Sequence, residues 1–202
     1  MWRGKPAAER RLERRDRLFQ VTLDLVEEHG IGGVTVRGVC AASGLTARYF
    51  YESFSDTTDL LLSLYDEMAG QGVQAVDDGI AAAVDDEADP LRSFVRAGMV
   101  FLTTDRRRSR FLLVHAAAHP DMHHRRRRLV TEVADRATRT WTEEVANGPD
   151  LVVSGLATRF ALGGLLELAT AYLEGDIELT DDQFADAAVA LIRTFVTPGT
   201  ER

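Results

Sequence analysis

The chain has 202 residues and a single cysteine, Cys40. It can form no internal disulfide and no cysteine-rich zinc site, and a reducing compartment is expected. Proline is sparse, at Pro6, Pro90, Pro120, Pro149 and Pro198, aromatics make up only 7%, and repeats and low-complexity stretches are absent. That composition excludes a collagen, a disulfide scaffold and a wholly disordered tail. No β-branched alternating run is bounded by a hairpin dipeptide, so strands are not expected. The longest apolar stretch, Leu151 to Leu173, contains Arg159, Glu167 and several glycines, and reads as a buried helix rather than a membrane span. The opening residues run into charged sequence with no signal-type apolar segment. A cytoplasmic protein with no membrane partner is expected. Also missing are a glycine-rich phosphate loop, a His-Glu-x-x-His metal motif and a Gly-x-Ser-x-Gly nucleophile motif. Neither an enzyme nor a cofactor is expected.

What is present is 45% apolar residues, 28% charged residues and a net charge of −8. The charge is unevenly spread. Residues 1–50 hold nine Lys/Arg against six Asp/Glu, a balance of +3, whereas the other 152 residues hold 15 against 26, or −11. A small basic head on an acidic body suits a DNA-binding module joined to a unit with another task. Arg10, Arg11, Arg14, Arg15 and Arg17 read either as an arm laid over DNA, which is slightly favoured, or as the solvated start of a first helix.

Leu18, Phe19, Val21, Leu25 and Val26 recur at helical spacing, and the glycines at 30, 32 and 33 stop the run. A second helix should begin with Thr35 as its N-cap and end by Ser43-Gly44. A short third helix follows, capped by Thr46 and reaching about Ser53. Asp56 and Asp59 then form a capping box for a longer helix. Further breaks are expected at Gly70-Gln71-Gly72, residues 87–90, His119-Pro120-Asp121, Asn147-Gly148-Pro149 and Gly175-Asp176. The reading is all-α: a three-helix N-terminal unit over residues 1–53 and a larger helical body over 54–202.

Residues 35–51 read as helix-turn-helix. Cys40 supplies a small residue at the crossing, Gly44 a left-handed turn position, and Leu45 an apolar anchor for the second helix. With Val36, Val39, Phe50 and Phe54 inward, the second helix turns Ala47, Arg48, Tyr49 and Tyr51 outward, a face that can enter a major groove. Such patterns also occur in proteins that never touch DNA. From Leu18 to about Leu62, however, the chain resembles the N-terminal domain of TetR-type (tetracycline-repressor-like) transcriptional regulators. The resemblance is carried by residues 25–30, Thr35-Val36-Arg37, residues 39–46, Phe50-Tyr51-Glu52-Ser53-Phe54 and Asp59-Leu60-Leu61. Two departures stand out: Gly38 where the family usually has an acid, and Ser55-Asp56-Thr57-Thr58 where it commonly has Pro-Ser-Lys-Glu.

The resemblance implies a ligand-responsive repressor that binds double-stranded DNA, with Thr46, Ala47, Arg48 and Tyr49 facing the groove and Tyr51 on the backbone. Arg48 suits the O6 and N7 edge of guanine, and Thr35 and Arg37 suit the flanking strand. Thr57, or the helix N-terminus there, would replace the missing lysine contact. It also implies a homodimer on a palindromic operator and an unidentified small-molecule effector. The dimer surface is expected on the two most apolar helices, at Leu156, Phe160, Gly163, Leu166, Phe184, Ala188, Leu191, Ile192 and Phe195. The pocket is expected among Phe94, Met99, Phe101, Phe111, Leu112, His115, Trp141 and Phe160. A ligand-binding or interaction protein of the same fold with weak or lost DNA binding is the alternative. His115, His119, His123 and His124 suggest a metal by spacing, but Pro120 interrupts the face and no metal is expected. The runs 106–108 and 125–128 read as solvated arginines paired with acids such as Glu132 and Asp135, or as an attractor for an anionic effector or a protein.

Overall fold

The computed structural model describes residues 6–85, 89–117, 119–144 and 151–196. Among them every regular element is helical. Helix α1 (Ala7–His29) buries Leu18, Phe19, Leu23 and Val26 and ends at Gly30, whose φ of 70° puts it in the left-handed region. A 3₁₀ turn (Ile31–Gly33) leads to α2 (Val36–Ser43) and the short α3 (Ala47–Tyr51). Thr35 caps α2 by accepting from the Gly38 N–H at 3.1 Å. The cap therefore forms even though Gly38 has no acidic side chain to return it. Gly44, with φ 68°, turns the chain into α3, and the wholly buried Ser43 bridges that turn, donating to Cys40 O and accepting from Leu45 N–H, both at 3.3 Å. Cys40 itself is only half-buried, so Ser43 is the small residue enclosed at the crossing.

Helix α4 (Thr57–Asp85) starts with the capping box: Asp59 N–H donates to Asp56 Oδ1 at 2.8 Å, and Ser55 N–H to Asp59 Oδ2 at 2.9 Å. The expected break at Gly70-Gln71-Gly72 does not occur; α4 runs straight through it. Glycine in a helix costs about 1 kcal/mol each, but here it brings α5 (Pro90–Thr104) close. A Cβ on Gly72 would lie 3.0 Å from the Phe101 ring, and one on Gly79 only 2.5 Å from Ala97 Cβ. Close packing between α4 and α5 outweighs the local propensity.

Asp89 caps α5 through the Leu91 N–H, with Pro90 at the first helical position. A short α6 (Arg106–Arg110) passes into a π-helical turn (Phe111–His115). Then come α7 (Pro120–Glu144), α8 (Leu151–Glu174) and α9 (Asp181–Val196). Helix α4 packs on α5 and α7, α7 on α8, and α9 on α5 and α8. One continuous apolar core runs from Leu18 and Phe50 through Leu60 and Tyr65 to Phe94, Phe111 and Ile192. The expected break at residues 147–149 lies outside the described residues. No helix among the described residues is long and apolar enough to cross a membrane.

Candidate DNA-binding face and ligand cavity

Val39, Phe50 and Phe54 are buried, which fixes α3 on α1 and leaves the opposite side of α3 in solvent. Thr46, Ala47, Arg48, Tyr49 and Tyr51 are all exposed there, as are Thr35 and Arg37 at the start of α2. Thr46 makes no side-chain cap, so its hydroxyl is not committed to the helix end. Arg48 reaches Glu52 Oε1 with its Nε at 3.2 Å, and Arg14 approaches the other carboxylate oxygen at 3.7 Å. The Arg14 guanidinium also lies over the Tyr49 ring, 4.6 Å from its centroid. Thr57 differs from these residues. It is half-buried and lines a groove with Ile31, Val34, His115 and His119.

The N-terminal arginines do not form an arm over the described span. Helix α1 already begins at Ala7. Arg11 donates to Glu52 O at 2.9 Å, Arg14 stacks as described, and Arg15 sits 4.9 Å from the ring centroids of both Phe19 and Phe54. Their stems cover the aromatic core of the head while their charges border α3. Arg3 and Lys5 lie outside the described residues.

The body holds a partly open apolar cavity of about 130 Å³ between α4, α5, α7 and α8. Phe94, Met99, Phe101 and Leu112 line it, with Val76, Leu129, Val133 and Leu166 among their neighbours. Other expected pocket residues lie elsewhere. Phe111 is fully buried beside the cavity, its ring 6.4 Å from that of Tyr65. His115 faces the groove that holds Thr57. Phe160 is 64% exposed on the outer side of α8. The Trp141 side chain is outside the described residues. Burial, with the Arg110 guanidinium nearby, holds the His115 imidazole below its ordinary pKa, and Glu27 opposes the effect.

Sequence reasoning treated Arg126 only as one of the run 125–128 and did not separate it from its neighbours; it stands in the cavity wall. The signal was there: Arg126 is four residues after the buried Met122 and three before Leu129, on the inward stripe of α7, but the run 125–128 hid it. Its neighbours behave differently. Arg125 pairs with Asp66 of α4, and Arg127 and Arg128 border an outer groove with Glu132 and Asp135.

The run 106–108 is likewise no solvated face. Arg106 donates to Leu173 O at the end of α8. Arg107 pairs with Asp24 on α1 and with Asp105, whose carboxyl it holds below the usual carboxylate range through their hydrogen bond. Arg108 donates to Phe101 O at 2.6 Å and stacks on the Phe101 ring. Arg110 reaches Glu27 at 3.3 Å. Helix α6 thus ties the head to the cavity wall and to α8.

The expected dimer residues divide in two. Phe184, Ala188 and Ile192 are 3 to 4% exposed within the subunit, because α9 packs that face on α5 and α8; they have no surface left for a partner. Leu166 is half-buried and lines the cavity. Leu156, Phe160, Gly163 and Leu191 face outward. The Phe195 side chain is outside the described residues.

Residues 18–64 match the sequence profile of the bacterial regulatory proteins of the tetR family. That segment matches the N-terminal domain of the tetR family. The matched segment spans the second half of α1, α2, α3 and the start of α4, so the exposed face of Thr46, Ala47, Arg48, Tyr49 and Tyr51 lies inside it. Solved TetR-like structures agree over nearly the whole chain. The fatty acid degradation regulator FadR from Bacillus halodurans superposes with a TM-score of 0.75 at 16% identity, over 99% of this chain and 100% of that one. A transcriptional regulator FadR from Bacillus subtilis, solved in complex with stearoyl-CoA, superposes with a TM-score of 0.72 at 16% identity, over 87% and 96%. A TetR-like transcriptional regulator from a Rhodococcus species gives 0.68 at 17% identity, over 96% and 100%. At these identities the likeness is one of fold. Among curated proteins no sequence matches.

Proposed function

We propose that this protein is a cytoplasmic, homodimeric transcriptional repressor of the TetR type that leaves a palindromic operator when a small, largely apolar molecule enters the cavity of its body. Residues 1–53 would be the DNA-binding unit and 54–202 the effector and dimerisation unit. The observation that carries the reading is the exposed face of Thr46, Ala47, Arg48, Tyr49 and Tyr51, tied through α6 to an apolar cavity. Arg48 would read guanine, while Tyr49, Tyr51, Thr35 and Arg37 would hold backbone phosphates and set register.

Helix α8 supports the second copy. Its inner side is buried, yet Leu156 and Phe160 are exposed, followed by Gly163 and Gly164 one turn on. Ala187, Ala190, Leu191 and Thr194 repeat the pattern on α9. Apolar stripes on both sides of a helix suit a partner on each. Two-fold pairing would set the recognition helices about one turn of DNA apart, or a multiple of it. An effector that binds better to a form with wrongly spaced heads lowers DNA affinity by its differential binding energy. The FadR complex with stearoyl-CoA supports an acyl-type effector for this fold.

Selection of random double-stranded DNA on the purified protein, followed by a salt titration, tests the reading. Recovery of a palindrome whose affinity falls steeply with salt is expected. Recovery of nothing by a folded dimer would favour a DNA-silent ligand-binding protein instead.

A further inference from the structure

The cavity between α4, α5, α7 and α8 presents an almost wholly apolar surface. Of the side chains that line it, only those of Tyr65 and Arg126 contain an oxygen or nitrogen, and they contribute a ring and a carbon stem rather than their polar ends. Gly72 and Gly98 add no side chain, and their backbone groups belong to the interiors of α4 and α5, where each has a partner one turn away. A guest with a hydroxyl or carboxylate would give up its hydration on entering and find no donor or acceptor in return. A guest of carbon and hydrogen alone loses no hydrogen bond and gains dispersion contacts with the wall.

Size narrows the guest further. An apolar cavity of about 150 Å³ stays dry and binds benzene; the present one holds about 130 Å³. It is too small for a stearoyl chain and has no group for a thioester head to bond, so it departs from what the Bacillus subtilis FadR complex contains. Phe94, Phe101 and Met99 offer rings and a thioether, which pack well on an aromatic guest and make benzene the first probe.

Resting on the effector reading above, we infer that the cavity takes a compact neutral hydrocarbon, of about the size of benzene and without any hydrogen-bonding group. The wall discriminates by what it withholds: a polar head is rejected because nothing in the cavity replaces its water.

Calorimetric titration of the full chain with benzene, phenol and benzoate tests the assignment. Benzene should bind at one site per chain, phenol about tenfold or more weaker, and benzoate weaker still. Gly98 lines the cavity, and a Cβ there would meet nothing within 4 Å. Gly98→Leu should therefore fill that space and abolish benzene binding, with helicity and melting temperature kept because a glycine inside a helix is also replaced. Phenol or benzoate binding as tightly as benzene would overturn the hydrocarbon assignment and leave the cavity as an effector site. Failure of benzene to bind the native chain would overturn it too, and benzene binding that persists in a folded Gly98→Leu would place the guest elsewhere. Naphthalene binding as tightly as benzene would overturn the size limit. Benzene that binds as expected, yet leaves the protein on the operator recovered by selection, would uphold the assignment and overturn the effector reading.

Discussion

Arg48 is 84% exposed, with Glu52 beside it, and an exposed ion pair of this kind contributes little to stability. The guanidinium is free to exchange that carboxylate for a base edge. Arg48→Ala should therefore leave the melting temperature nearly unchanged and relax base preference at one position of each half-site, at a cost of about 1 to 3 kcal/mol against the preferred base. Arg37→Ala should instead weaken all sequences about equally and lower the salt slope by about one unit. Repeating the selection and the salt titration on both variants separates the two roles, and unaltered base preference in Arg48→Ala would remove it from the reading set.

At the scale of elements, α6 and the π-helical turn after it join the two halves of the molecule. Arg107 and Arg110 reach α1, Arg106 reaches α8, and Arg108 holds the end of α5. His115 closes this junction in a groove with Thr57, Thr58 and His119, near Arg110 and Glu27. Since its folded pKa is depressed below the ordinary value of 6.5, the unfolded chain takes up the proton first as pH falls. The neutral imidazole's contribution is fully present above about pH 6.5 and is lost as pH drops below it. Denaturant unfolding between pH 7.5 and 5.5 should show that loss, and His115→Gln should reduce the slope. An identical slope in the variant would place the titrating group elsewhere.

For the whole molecule, the informative surface is the outer stripe of α8 and α9. Phe160 is 64% and Leu156 63% exposed, a poor arrangement for an isolated subunit and a good one for a two-fold contact. Phe160→Asp should yield a folded monomer by light scattering, with helicity kept and operator affinity sharply reduced, because one head alone covers one half-site. A variant that stays dimeric would move the interface off this face.

Local chemistry settled much of the head before any tertiary contact was considered. Thr35, Gly44, Asp56 and Asp59 act on backbone groups within three or four residues, so the limits of α2 and α4 could be read from the chain, and the apolar spacing of Val39, Phe50 and Phe54 identified the side of α3 that faces the core. The basic N-terminal arginines were equally visible, but their stacking on Phe19, Phe54 and Tyr49 depends on α1 crossing α3. In the body the sequence alone established little beyond helices. Gly70 and Gly72 read as a break because propensity is local, whereas the approach of α5 that keeps α4 continuous is not. An apolar residue shows that it will be covered, not by what: Phe184 and Ile192 are covered within the subunit, while Phe160 faces out. Arg126 carries the same lesson for charge. Only packing α7 against α4 and α8 puts Arg126 in the cavity wall while Arg127 and Arg128 border an outer groove, because which wall a side chain joins is a property of where it ends up and not of the residues next to it in the chain.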